Sequence, residues 1–154
     1  MHIRIEGDTR GAYDLKWRGV ALDGFDGRRW YNSMRRRSVL TPSPPSGGRF
    51  TLPWAPQTPA EAARTQPSRI RYRVVSEPLG SDVFFLAPLA EALYVNYRNI
   101  ATDEDSGALF SNDRYRVISA YAGVSNIRSP AAAALRAATG EYPVKVKGDR
   151  KSVV

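Results

Sequence analysis

The alternation of apolar and polar residues along this chain is typical of strands rather than helices. The clearest run covers residues 70–75, where Ile70, Tyr72 and Val74 alternate with arginines. This is the period-two pattern of a strand with one buried face. Similar runs predict further short strands at residues 2–6, 82–86, 93–97, 108–111 and 114–121.

A hairpin is predicted ahead of the clearest strand. Residues 13–25 have the pattern of a strand with a bulge at Gly19. Asp26 and Gly27 form a tight-turn dipeptide between apolar and aromatic residues. Such a dipeptide predicts a hairpin, whose second strand covers residues 29–31.

Proline and glycine interrupt the strand pattern between residues 35 and 67. This stretch is predicted to be a long loop, with one turn of helix at residues 59–64. A second helix is predicted at residues 130–138, which are rich in alanine and have Ser129 as N-cap, Pro130 in the first turn and Gly140 as the stop. We therefore expect a β-rich domain over residues 1–128 and a short helix over residues 129–140.

The fold class that these elements predict is all-β and mainly antiparallel. About seven or eight short strands would form a β-sandwich or open barrel with one short C-terminal helix. Trp17 and Trp30 flank the predicted turn, and we favour cross-strand packing for them over a platform that stacks sugars or bases. The residues expected in the core are Trp17, Trp30, Tyr72, Val74, Phe84, Tyr115 and Val117.

The composition excludes several kinds of catalytic and metal-binding site. The chain has no cysteine, which excludes disulfides, cysteine-ligated metals and a thiol nucleophile. Its one histidine is His2, close to the terminus. No apolar run approaches the ~18 residues that a membrane-spanning helix needs. We therefore assign no catalytic residue, no metal ligand and no cofactor-binding residue, and we expect no cofactor.

Two acidic clusters could serve in catalysis or cation binding, but the sequence around each of them is more typical of a turn. One group flanks the glycine turn at residues 105–107 and comprises Asp103, Glu104, Asp105 and Asp113. Solvation of a hairpin tip is favoured there over acid–base catalysis or a cation site. The second group, Asp23, Asp26 and Gly27, lacks the 12-residue ligand spacing of an EF-hand, so turn chemistry is favoured over calcium binding.

The net charge of +8 makes an anionic partner worth considering. The sharpest basic cluster is Arg35, Arg36 and Arg37, which would suit contact with an anionic membrane surface. A solvated loop edge is the favoured alternative, because the other basic residues are scattered along the chain. Nucleic acid is not expected as a partner.

Three stretches, in order, carry a family resemblance. The first is WRGVALDGFDGRRW at residues 17–30; the second is IRYRV at residues 70–74, followed by Glu77, Pro78 and the DVFFLAP run; the third is YRVIS at residues 115–119. Over residues 1–143 the chain resembles the extracytoplasmic segment that precedes the catalytic core of TgpA-type bacterial transglutaminase-like membrane proteins, the protein-glutamine gamma-glutamyltransferases. The first stretch is the most specific.

The resemblance implies that acyl transfer belongs to a separate, downstream papain-like core with a Cys-His-Asp triad, so none of those residues transfers to this chain. The expected function is a non-catalytic scaffold at the extracytoplasmic face of the bacterial inner membrane, in a fragment without the transmembrane bundle and core that would be its partners. The alternatives are a basic module that binds an anionic polymer or membrane surface and, with little support, a small carboxylate hydrolase. Residues 144–154 depart from the family pattern at Gly148, and we expect them to be non-native or disordered.

Overall fold

The computed structural model describes residues 1–6, 15–22, 24–32, 37–44, 48–65, 68–77, 82–104, 106–112, 118, 120–127 and 136–137. The elements within these residues are β1 (His2–Ile5), β2 (Gly24–Phe25), β3 (Trp30–Tyr31), β4 (Arg37–Leu40), β5 (Arg49–Thr51), α1 (Pro59–Thr65), β6 (Arg69–Val75), β7 (Ala90–Tyr94), β8 (Ile100–Asp103), β9 (Leu109–Ser111) and β10 (Ala120–Asn126).

The strands form three antiparallel sheets. The largest has the order β1-β6-β10-β7-β5, a second has the order β4-β8-β9, and β2 pairs with β3 as a hairpin. The predicted all-β, mainly antiparallel class is confirmed. No sheet closes into a barrel within the residues that the structure describes.

One hydrophobic core joins the two larger sheets. Tyr72 and Val74 on β6 and Leu93 on β7 are fully buried, and Ile100 and Leu109 from the three-stranded sheet belong to the same cluster. Burial of each large apolar side chain stabilises the fold by roughly 1.5–3 kcal/mol. The alternation along β6 predicts this core: the apolar residues of the strand face inward, and its arginines occupy the opposite face.

The predicted strands at residues 2–6, 70–75 and 108–111 are confirmed as β1, β6 and β9. The strand predicted at 114–121 overlaps β10 only at its end, and residues 113–117 lie outside the described residues. The stretch at 35–67, predicted as a long loop with one turn of helix, contains two strands, β4 and β5, in addition to helix α1. Prolines and glycines lie between these strands rather than within them, so the breaker residues mark their ends.

Helix α1 begins where a helix was predicted. Thr58 caps it by accepting a hydrogen bond from the Glu61 backbone N–H, and the Glu61 carboxylate accepts one from the Thr58 N–H in return. This reciprocal pair is a capping box, and Pro59 occupies the first helical position. Of the helix predicted at 129–140, Arg136 and Ala137 are described and are helical; the rest, and residues 144–154, lie outside the described residues.

The predicted hairpin is confirmed by the pairing of β2 with β3. Gly27 adopts a φ of 91°, which a glycine tolerates. The Asp26 carboxylate accepts hydrogen bonds from the backbone N–H groups of Arg28 and Arg29, each at 2.9 Å. These bonds, above all the one from Arg29, lower the pKa of Asp26. The Asp26 carboxylate therefore stabilises the turn, which agrees with the prediction that this acidic group forms a turn and not a calcium site.

The predicted burial of Trp30 is wrong. Its side chain is 60% exposed and packs against Phe25 within the hairpin. Trp17 is half-buried and meets the Tyr72 ring edge-to-face at 4.9 Å between centroids. The burial of Tyr72, Val74 and Phe84 is confirmed. The other two predicted core residues, Tyr115 and Val117, lie outside the described residues.

Candidate functional site

The first two of the stretches that carry the resemblance meet in space. Arg18 and Leu86 exchange a pair of backbone hydrogen bonds, at 2.8 and 2.9 Å. The two segments also pack closely at Gly19, where an added Cβ would lie 2.7 Å from a carbon of the Phe85 ring. The segment at 15–22 is therefore irregular and held by one bridge, at Arg18, where a strand over residues 13–25 with a bulge at Gly19 was predicted.

Two buried tyrosines hold the same segment from the other side. The Tyr121 hydroxyl donates to the Phe85 carbonyl at 2.7 Å and accepts from the Phe85 N–H at 2.9 Å. The Tyr72 hydroxyl accepts from the Ala87 N–H, and Ser125 Oγ donates to the Ala87 carbonyl, both at 3.1 Å. Backbone groups that have no ladder partner are thus satisfied by side chains of the five-stranded sheet.

Burial raises the pKa of both phenols. Tyr72 and Tyr121 therefore remain protonated over the physiological range and serve as neutral hydrogen-bonding groups. Their hydroxyls are engaged with Phe85, Ala87 and Ser125. The arrangement positions the 84–87 segment and offers no acid–base pair.

We expect Tyr72→Phe and Tyr121→Phe each to lower the free energy of unfolding by about 1–3 kcal/mol, because each leaves buried polar groups without a partner. Chemical denaturation followed by tryptophan fluorescence measures the change. Tyr31→Phe is the matched control, because Tyr31 is exposed on the hairpin; it should shift stability by less than about 0.5 kcal/mol. Equal costs for all three variants would contradict the assigned role of the buried hydroxyls.

Alkaline pH should weaken the fold through the same phenols. The folded pKa values of Tyr72 and Tyr121 lie above the ordinary value of 10.0, so above pH 10 the unfolded chain loses protons that the folded chain retains. Stability is then full below pH 10 and falls as the pH rises further. Urea unfolding between pH 8 and 12 measures this slope, and Tyr121→Phe should make it shallower.

Phe84, Leu86 and Ala87 help to line a groove of about 720 Å³. Residues 16–20 and Trp54 also line the groove, and the Trp54 indole N–H donates to the Ala90 carbonyl. The groove is mainly apolar, with Leu89 strongly exposed beside it. Leu89 also has a φ of 49°, an uncommon conformation for a side chain branched at Cγ. Lys16 and Arg18 supply its positive charge.

The hairpin adds a second exposed apolar surface. We call it the hairpin surface and define it by Phe25 and Trp30, which are exposed and pack against each other as a cross-strand pair. Tyr31 is also exposed, but it lies on the other face of the hairpin, over Gly24. Exposed aromatic residues are enriched at protein interfaces, so this surface is a candidate contact site. Sequence reasoning placed Trp30 in the core and disfavoured a stacking platform of Trp17 and Trp30; the structure exposes Trp30, while Trp17 is half-buried.

The predicted arginine cluster is only partly described. Arg35 and Arg36 lie outside the described residues. Arg37 is exposed on β4, and its guanidinium lies 4.7 Å from the centroid of the Phe110 ring, a distance that permits a cation–π interaction. Contact of these arginines with an anionic surface stays a prediction.

The acidic group at residues 103–113 differs from the prediction. Asp103 is only 2% exposed, at the end of β8, rather than solvating a hairpin tip. Its Oδ2 accepts hydrogen bonds from Ser106 Oγ and Asn32 Nδ2. Glu104 is exposed, and Asp105 and Asp113 lie outside the described residues. Among the residues that the structure describes, no group of three histidine or acidic side chains is arranged to hold a metal ion.

Comparison with known families identifies the chain. The family model of the TgpA N-terminal domain matches residues 3–132. The chain belongs to the TgpA N-terminal domain family. It is therefore a non-catalytic segment of a TgpA-like protein, as the resemblance indicated. Searches of curated proteins and of solved structures found no match. In the part of the chain that the structure describes, no helix has the length and apolarity to cross a membrane.

Proposed function

We propose that this TgpA N-terminal domain is a structural scaffold in a membrane-bound, transglutaminase-like bacterial protein, where it spaces and orients a catalytic core outside the inner membrane. The observation that carries the proposal is the family match over residues 3–132. A domain named as N-terminal implies further domains in the parent protein, and scaffolding gives such a segment a role that requires no chemistry of its own.

The absence of cysteine supports the assignment of chemistry to another domain. A glutamine side-chain amide is a poor electrophile, and transglutaminase-type attack on it uses a thiolate paired with a histidine. This chain has no thiol and only His2. Any acyl transfer by the parent must therefore use residues of the adjoining core.

The hairpin surface is the contact that we assign to that adjoining core. Its turn is fixed by the Asp26 carboxylate, so Phe25 and Trp30 are presented by a short, well-defined hairpin. Exposed aromatic side chains are the anchors that protein interfaces prefer. A rigid frame with exposed anchors is what a spacing domain requires.

The test compares the 154-residue chain with the full-length parent protein, both assayed for amine incorporation into a glutamine peptide. The chain alone should be inactive and the parent active. In the parent, Phe25→Ser/Trp30→Ser should lower the rate while Val39→Ser, at an exposed position on β4, leaves it unchanged. Activity of the purified chain would overturn the non-catalytic role. An unchanged rate in the double variant would overturn the assigned contact.

A further inference from the structure

The outer face of the five-stranded sheet carries an array of arginines. Strand register places Arg4 on β1 opposite Arg73 on β6, and continues the same row through Ala122 and Tyr94 to Arg49 on β5. Arg69 and Arg71 extend the array along β6. We call these five arginines, together with the small residues between them, the arginine face.

The arginine face is uneven. On its middle strand, β10, the small side chains Ala120, Ala122 and Val124 lie between larger neighbours, and Asn126 follows them at the end of the strand. Two hollows of about 410 and 340 Å³ follow one another across this floor. Arg71 and Tyr94 line the second hollow from opposite sides of β10, with the guanidinium 5.9 Å from the ring centroid.

The charges of the arginine face are only partly compensated. Arg71 pairs with Glu6 at 3.8 Å, and Arg69 pairs with Glu91 at 2.7 Å. Arg4, Arg73 and Arg49 form no ion pair with any described carboxylate. Like charges directly opposite each other on neighbouring strands, as Arg4 and Arg73 are, destabilise a sheet. An added anionic group between them would remove that repulsion.

The spacing of the array matches an extended peptide. Arg69, Arg71 and Arg73 project from alternate positions of one strand, so they repeat about every 6.6–6.8 Å. Acidic side chains at alternate positions of an extended segment repeat at the same interval, and each carboxylate suits bidentate binding by a guanidinium.

The carboxylates of the arginine face argue against a uniform polyanion as its ligand, and its hollows argue against a membrane. Glu6 and Glu91 lie among the arginines and would repel the evenly spaced phosphates of a polymer, whereas a peptide can present neutral residues to them. A flat lipid surface would reach the arginine tips but would not fill the two hollows. We propose that the arginine face binds an extended, acidic segment of a partner protein.

This binding surface does not depend on the scaffold role, since none of its residues belongs to the groove or to the hairpin surface. Its occupant is defined by acidic residues at alternate positions, which face the arginines, with small residues between them that face away from the sheet. Because Arg71 and Arg73 are exposed, binding should weaken with added salt.

The test uses the 154-residue chain and a fluorescent eight-residue peptide of alternating glutamate and alanine, with anisotropy as the readout. Arg71→Gln/Arg73→Gln should weaken binding about tenfold or more, since it removes two charge-assisted contacts. Arg28→Gln/Arg29→Gln is the matched control: it removes the same charge from the hairpin turn and should change binding less than about twofold. Circular dichroism checks that both variants are folded.

Two further probes make the proposal specific. A peptide of the same composition, with its glutamates gathered at one end, should bind more weakly than the alternating peptide. Equal binding of the two peptides, equal losses in the two double variants, or no binding of the alternating peptide at low salt would overturn the proposal. Tighter binding to polyphosphate or to phosphatidylglycerol vesicles, lost in Arg71→Gln/Arg73→Gln, would overturn it in favour of a polyanion or a membrane surface.

Discussion

Replacing Gly123 with alanine should lower the free energy of unfolding by about 3 kcal/mol, through overpacking and the loss of buried hydrogen bonds. The new Cβ would overlap with Cζ and Oη of Tyr72, which lies directly opposite on β6. The ring cannot simply move away, because its hydroxyl is hydrogen-bonded and Trp17 packs against it. Urea denaturation measures the change.

Gly24→Ala is a sharp control for this effect. Its Cβ would overlap with the Tyr31 ring just as closely, but Tyr31 is exposed and can rotate into solvent. We expect a cost below about 1 kcal/mol there. A double-mutant cycle adds a second check: in a Tyr72→Val background, Gly123→Ala should cost much less, because the overlapping ring is gone. Equal costs at the two glycines would refute the role given to Tyr72.

The elements that sequence reasoning found are those whose own residues carry the pattern. β6 alternates three apolar residues with arginines, and the capping residues of α1 are adjacent in sequence. β8 was missed because all four of its residues are buried, including Thr102 and Asp103, so no alternation shows. The part of β10 beyond Tyr121 was missed because its residues are mostly small, and their fit depends on what lies opposite on β6.

The two candidate interaction surfaces could not be predicted from the sequence, because the fold brings together residues that are distant in sequence. Arg18 and Leu86 belong to recognisable stretches, but only the fold pairs them. The alternation at β6 predicted that its arginines face outward. It did not predict that Arg4 and Arg49 join the same row, because that follows from strand register. Likewise, the pattern of the hairpin does not say which of its faces is covered, and Trp30 was placed in the core for that reason.

The stretch at residues 35–67 shows how breaker residues can hide strands. Pro42, Pro44 and Pro45 separate β4 from β5. Each strand is short, yet both are paired in register, β4 with β8, which has the same length, and β5 with the longer β7. A stretch that looked like a loop therefore supplies an edge strand to each of the two larger sheets.

Phe50→Ala should then destabilise the protein by about 3–5 kcal/mol, the usual cost of removing a buried phenylalanine. Phe50 lies on β5, is completely buried and belongs to the main core cluster. A phenylalanine in a solvated loop, the environment that the proline and glycine pattern predicts, would cost little to remove. Val39→Ala on β4 is the control, because Val39 is 59% exposed, and it should cost less than about 0.5 kcal/mol. Urea unfolding of the two variants measures both values. A small cost at Phe50 would mean that β5 does not seal the core of this domain.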